Sequence, residues 1–194
     1  RGLHQGGGSG LTAYWASMEL ESTGDQYGGQ RKWGAGTGED HTDSTFYVSN
    51  LGSINASGGT FVAYLFAHND SGDGEFGPDA DQDIIKCGSF TSDGSGNTGS
   101  INLGFEPQFL LTKVASGTTN DWAILDSMRG LINSGGSNDK DAYLFANRAY
   151  AENTGYGDSY NPEPQGFSGH GLATNCTFIY MAIRRGPLAP PEAG

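Results

Sequence analysis

The sequence predicts an all-β chain: an antiparallel β-sandwich-like fold with an internal duplication and long Gly-rich loops. Three observations carry this expectation. Gly makes up 33 of the 194 residues and Ser, Thr, Asn and Asp abound, so helix-favouring residues are scarce. Apolar residues gather in short runs rich in aromatic and β-branched side chains, each bounded by turn-forming clusters. Aromatics reach 11%, which supplies the apolar surface that disordered Gly-rich tracts lack. A chain of this length can bury a real core as one large or two small domains.

Leu11 to Leu20 (LTAYWASMEL) reads as a strand or a single helical turn, with Tyr14-Trp15 favouring strand. Glu21 to Ser44 is Gly-rich and acidic, an ordered surface loop with a short strand near Arg31 to Trp33. Thr45 to Val48 reads as a strand. Thr60 to Ala67 (TFVAYLFA) is apolar without polar alternation, the pattern of a strand buried on both faces. An acidic loop, His68 to Asp83, leads into the stretch Asp83 to Val114. That stretch reads as a hairpin-like unit: strand segments Ile84 to Phe90 and Ile101 to Val114, joined by the Gly/Ser/Asn/Asp tip Thr91 to Ser100. Asp121 to Asp126 is a short strand, Ala142 to Glu152 follows, and a second loop runs to Pro164. Gln165 to His170 and Thr177 to Arg185 (TFIYMAIRR) complete the strands. The proline-rich tail 187–194 cannot join a sheet interior.

An internal repeat organises these elements. Arg1-Gly-Leu with Gly7-Gly8-Ser9 and Ala13-Tyr14 matches Arg129-Gly-Leu with Gly135-Gly136-Ser137 and Ala142-Tyr143, and TFVAYLFA then matches TFIYMAIR. Residues 1–82 form a first unit, 83–186 the hairpin and second unit, and 187–194 a linker, although one compact domain is compatible with the same pattern. Copy two is preceded by the strands of Gly104 to Met128, whereas copy one opens at its Arg. The expectation is therefore a first unit truncated at its N-terminus, with the missing strands supplied by another chain or a separate fragment, or else an exposed sheet edge open to association.

Formal net charge is −12, and the basic pairs Arg31-Lys32 and Arg184-Arg185 are isolated. Nucleic acid and anionic membrane surfaces are poor partners for such a chain, and no apolar run approaches the ~20 residues of a membrane-spanning helix. Cys87 and Cys176 fit no zinc spacing. Burial favours free thiols for them over a bridge. Asp79, Asp81 and Asp83 have the opening spacing of a calcium loop, yet Ile84 and Phe90 stand where Gly and the bidentate Glu belong. A solvated acidic loop without cofactor is the simpler reading, with Ca²⁺ as the alternative.

Several motifs in order resemble a domain recurrent in tail-fibre and related virion proteins of marine and cyanobacterial bacteriophages. They are Tyr64-Leu-Phe-Ala-His68, Ile84-Ile-Lys-Cys-Gly-Ser89 with its Gly-rich tip, Asn102-Leu-Gly-Phe-Glu-Pro-Gln-Phe109 with Lys113, Trp122 to Asp126, Arg129-Gly130, and Tyr180-Met-Ala-Ile-Arg-Arg-Gly-Pro187. The resemblance spans Thr60 to Pro187 and departs from the usual pattern at Phe109 and Cys176. It implies exposed virion structure or host-surface attachment, in a particle or extracellular setting, and it brings no catalytic residues.

The residues themselves offer little chemistry for catalysis. Glycosidases need two convergent carboxylates, and Asp121 and Asp126, if in one strand, project to opposite faces. Asp126 is expected to pair with Arg129, and Glu106 to face solvent. His4, His41, His68 and His170 lack a nucleophile context. A non-enzymatic domain contacting host glycans is the leading expectation, with Tyr156, Tyr160, Trp33 and Tyr27 as candidate stacking residues. The alternatives are a purely structural repeat module and a polysaccharide-degrading tailspike. Expected partners are other virion subunits in a homo-oligomer, with a trimer favoured.

Overall fold

The computed structural model of the chain describes residues 20, 22–24, 45–46, 48, 55–65, 84–131, 141–154 and 159–186. The chain divides into two compact units, Arg1–Glu19 with Gln26–Leu65, and Leu20–Asp25 with Phe66–Gly194. The division falls after Leu65, and Leu20–Asp25 belong with the second unit.

The second unit is all-β and antiparallel. Its strands are β1 (Ile85–Thr91), β2 (Ile101–Asn102), β3 (Pro107–Ser116), β4 (Ala123–Asp126), β5 (Leu144–Phe145), β6 (Tyr160–Glu163), β7 (Gly166–Gly169) and β8 (Thr177–Arg184). They form a five-stranded sheet in the order β1-β8-β3-β4-β5 and a three-stranded sheet in the order β2-β7-β6. The second half of the chain is therefore the sandwich-like architecture its composition predicts. Among the described residues no helix is long and apolar enough to cross a membrane.

β8 lies inside the sheet, between β1 and β3, and its sequence alternates. Phe178, Tyr180 and Ala182 are buried on one face, while Ile179, Met181 and Ile183 are half-buried on the other. It is paired on both sides, with β1 from Ile85↔Ile183 to Thr91↔Thr177 and with β3 through Thr112↔Tyr180 and Val114↔Phe178. The inner row of β3, Leu110, Thr112 and Val114, meets Phe167 and Tyr160 of the second sheet in one core. Aromatic rings interlock there: Phe90 stacks on Phe178 at 5.0 Å, and Phe167 meets Tyr180 edge-on at 5.4 Å.

Four expectations are corrected. Ile84 to Phe90 and Ile101 to Val114 do not pair as a hairpin. β1 pairs with β8, and the second segment divides at Leu103–Glu106 into β2 in one sheet and β3 in the other. Gly104 supplies the break, with φ of 80°. β6, unforeseen in the second loop, is the edge of its sheet, the position that tolerates Pro162. Thr60–Leu65 was expected to be buried on both faces. It forms no strand, and Phe61 (49% exposed), Val62 (76%), Tyr64 (82%) and Leu65 (74%) face solvent. Of Thr45 to Val48, the described Thr45 and Phe46 lie in no ladder and Val48 makes a single bridge.

Cys87 is half-buried on β1 and Cys176 buried before β8, and neither is in a disulfide. Burial raises the Cys87 thiol above its ordinary pKa.

Candidate functional site

A cavity of about 140 Å³ opens beside the core of the second unit. Its floor is the inner face of the five-stranded sheet, where Thr112, Ala123 and Phe145 lie in one cross-strand row. Ser159 and Tyr160, at the start of β6, form one wall, and Gly171, Leu172 and Ala173 form another. Asn120 and Asp121 stand at the rim, just before β4. Lys113 also borders the cavity, but strand alternation sends its side chain to the opposite face. There its buried ammonium donates to the carbonyls of Thr23 (3.2 Å) and Val114 (3.1 Å).

Each wall is fixed by named bonds. The buried carboxylate of Asp141 accepts from the backbone N–H groups of Ser159 and Tyr160, both at 2.9 Å, and so sets the start of β6. The Tyr160 hydroxyl donates to Thr112 Oγ1 at 3.1 Å across the sheets, and burial pushes its pKa well above the usual tyrosine range. The 171–173 wall is pinned to the tip between β1 and β2: Leu172 N–H donates to Gly96 O (2.9 Å), Ser92 Oγ to Ala173 O (2.5 Å), and Asn175 N–H to Asp93 O (3.0 Å). Asp93 in turn folds the tip by accepting from Ser95 and Asn97 N–H at 2.8 Å. Those bonds, that of Asn97 foremost, hold the Asp93 carboxyl below its usual pKa. The Gly/Ser/Asn/Asp tip thus acts as a buttress of the cavity.

Asp121 is the cavity's carboxylate among the described lining residues, and it is already engaged. Its Oδ1 accepts from Asn147 Nδ2 and Arg148 Nε, both at 2.7 Å. Asp126, at the far end of β4, is ion-paired with Arg129 and accepts from the Met128 and Arg129 N–H groups. Glu106 is partly exposed and pairs with Arg185 at 2.5 Å. The chemistry on offer is therefore a floor of Ala123 and Phe145 beside the Thr112 hydroxyl, which is bonded to Tyr160, with further hydroxyl and amide groups at its margin. That arrangement suits a small neutral ligand with an apolar face.

The family model DUF7483, a domain of unknown function, matches residues 7–187. The chain belongs to the DUF7483 family. No curated protein and no solved structure matches it. The DUF7483 match takes in most of both compact units and all eight strands described above.

Of the residues proposed from sequence for ligand contact, Tyr160 is corrected. It is 2% exposed, with its ring in the core at 6.1 Å from Phe167, and cannot present a face to an extended glycan. It contributes to the cavity instead. Tyr156, Trp33 and Tyr27 lie outside the described residues, as do Asp79, Asp81 and Asp83. Among the described residues no group of three or more His, Cys, Asp and Glu side chains is placed to hold a metal ion. Sequence reasoning missed the cavity of the DUF7483 domain because its lining comes from positions as distant as Thr112 and Ala173. No local spacing marks such a set.

Proposed function

We propose that this DUF7483 chain is a non-enzymatic component of a virion, a tail-fibre or receptor-binding element that contacts host-surface glycans. The cavity takes a single sugar ring. What carries the reading is the cavity lining: Ala123, Phe145 and Leu172 offer an apolar surface to the ring's C–H face, and Asn120 and Ser159 offer partners to its hydroxyls. Its 140 Å³ is below the ~300–1,000 Å³ of pockets that enclose larger ligands, which favours one ring over an extended chain. The engaged state of Asp121 and the pairing of Asp126 with Arg129 support binding over hydrolysis, which calls for two carboxylates facing one bond. The ordered motifs from Tyr64 to Pro187 support a particle-borne, extracellular setting among other virion subunits.

A glycan array probed with the chain and with Ala123→Leu, whose larger side chain fills the cavity floor, tests this. Binding to a glycan subset by the parent chain and its loss in Ala123→Leu is expected. Equal binding by both would remove the cavity from the proposal, and release of reducing ends from host polysaccharide would replace binding with catalysis. No cofactor is invoked. Should Asp79, Asp81 and Asp83 hold Ca²⁺, the thermal midpoint would rise with calcium and fall with EGTA.

A further inference from the structure

We propose that Asp121 is the residue by which the cavity selects neutral sugars over acidic ones, reading two adjacent ring hydroxyls together with Asn120. The inference deepens the single-ring reading above and rests on it. What carries it is how the Asp121 carboxylate is shared. Asn147 Nδ2 and Arg148 Nε both donate to Oδ1, each at 2.7 Å, and among the described residues nothing donates to Oδ2. A carboxylate serving only to neutralise Arg148 would offer both oxygens to the guanidinium fork. Here the second oxygen remains available, on a side chain that lines the cavity and is 18% exposed.

The carboxylate is also held still. Asn147 Oδ1 accepts from Trp122 N–H at 3.0 Å and Ala146 N–H donates to Trp122 O at 3.2 Å, which clamps the turn after β5 onto the start of β4. Arg148 N–H closes that turn on Phe145 O at 3.1 Å. Both donors to Oδ1 thus come from one fixed turn, and a preorganised acceptor loses little freedom when a ligand arrives. Asn120, exposed at the rim, supplies the complementary group. Its Oδ1 accepts from Asp121 N–H at 2.8 Å, and no described residue engages its Nδ2. An acceptor-only oxygen beside an amide donor matches two neighbouring hydroxyls, one donating to Asp121 and the other accepting from Asn120. The carboxylate of an acidic sugar has no proton for Oδ2 and meets a like charge there, which rejects it. Neither nearby cation relieves this: Arg148 is not among the lining residues, and the Lys113 ammonium lies on the opposite face.

The test is an array of glycans ending in glucose, galactose or mannose, each matched by its uronic acid, probed with the full chain, Asp121→Asn and Ala123→Leu. Asp121→Asn keeps an oxygen for Asn147 and Arg148 and replaces Oδ2 with a donor, so it changes recognition while retaining the turn. A thermal midpoint close to the parent's checks this. The parent should prefer one neutral terminus over its uronic acid by about tenfold or more, the worth of a hydrogen bond to a charged group. Asp121→Asn should lose that binding and close the gap, since an amide N–H suits a carboxylate. Deoxy forms of the preferred sugar should reveal two adjacent hydroxyls whose removal weakens binding. Should Asp121→Asn melt early, the parent's neutral-to-acidic ratio and the deoxy series decide. Equal binding of neutral and acidic termini by the parent overturns the assignment, as does a deoxy series without such a pair. A preference that Asp121→Asn leaves unchanged while Ala123→Leu abolishes binding also overturns it, and leaves the cavity reading standing. Binding that survives Ala123→Leu, or no binding at all, removes the single-ring reading and this inference with it.

Discussion

The hydroxyl of Tyr160 and that of Thr112 meet at 3.1 Å between the two sheets, with both side chains buried. Removing one partner of a buried pair leaves the other without its bond, which costs about 1–3 kcal/mol. Tyr160→Phe should therefore lower stability by that amount in urea unfolding, whereas Tyr160→Phe with Thr112→Val should lose less than the two single changes combined. The same burial acts on titration. Tyr160 and Tyr180 both have raised pKa values through desolvation, Tyr180 to about 12 from 10.0. A group with a raised native pKa stabilises the fold fully below its unfolded value and loses that contribution as pH rises through the native one. Stability should thus hold up to about pH 10 and decline from there towards pH 12, with the slope reduced in Tyr180→Phe. Denaturant melts across that pH range, read beside tyrosinate absorbance, check both.

Two glycines at element junctions translate local geometry into the cavity. A Cβ at Gly166 would collide with the carbonyl oxygen of Ile101 in the neighbouring β2, and one at Gly96, where φ is 78°, would collide with the Leu172 carbonyl. Backbone cannot yield as a flexible side chain can. Gly166→Ala should cost about 2–4 kcal/mol because it forces the three-stranded sheet apart. Gly96→Ala should cost less in urea unfolding yet weaken the glycan binding proposed for the cavity more, since it displaces the wall of Leu172 and Ala173. Equal effects on both measurements would contradict this division. The strands themselves were legible where alternation or length was clear: β1, β3, β4, β7 and β8 lie within one or two residues of their expected bounds, apart from the late start of β3. β6 was hidden because four residues containing Pro162 look like loop, and its edge position is a property of the sheet alone. The hairpin reading failed for a related reason, since turn residues such as Asp93 and Gly96 reverse a chain equally well when it crosses to another sheet. Tyr160 was taken for a surface ring because the preceding loop, Gly155 to Ser159, is polar, although Tyr160 is the first residue of a buried strand.

At the scale of the molecule, the second unit is completed by residues distant in the chain. Leu20–Asp25 belong to it, and within them Thr23 O accepts from both Asn120 N–H and the buried Lys113 ammonium on the outer face of β3. A buried ammonium depends on its acceptors, because leaving a charged donor short of one costs more than leaving a neutral one. A chain beginning at Phe66 keeps all eight strands and loses the Thr23 carbonyl. It should therefore fold with a urea stability lower by about 1–3 kcal/mol than that of the same unit in the full chain. Lys113→Met separates this cause from a general effect of truncation. In the shortened chain it should recover part of the loss, since the methionine needs no acceptor, whereas in the full chain it breaks satisfied bonds and should be neutral or destabilising. Equal responses of the two chains to Lys113→Met would show that Leu20–Asp25 stabilise the sheet through packing and not through the Thr23 carbonyl.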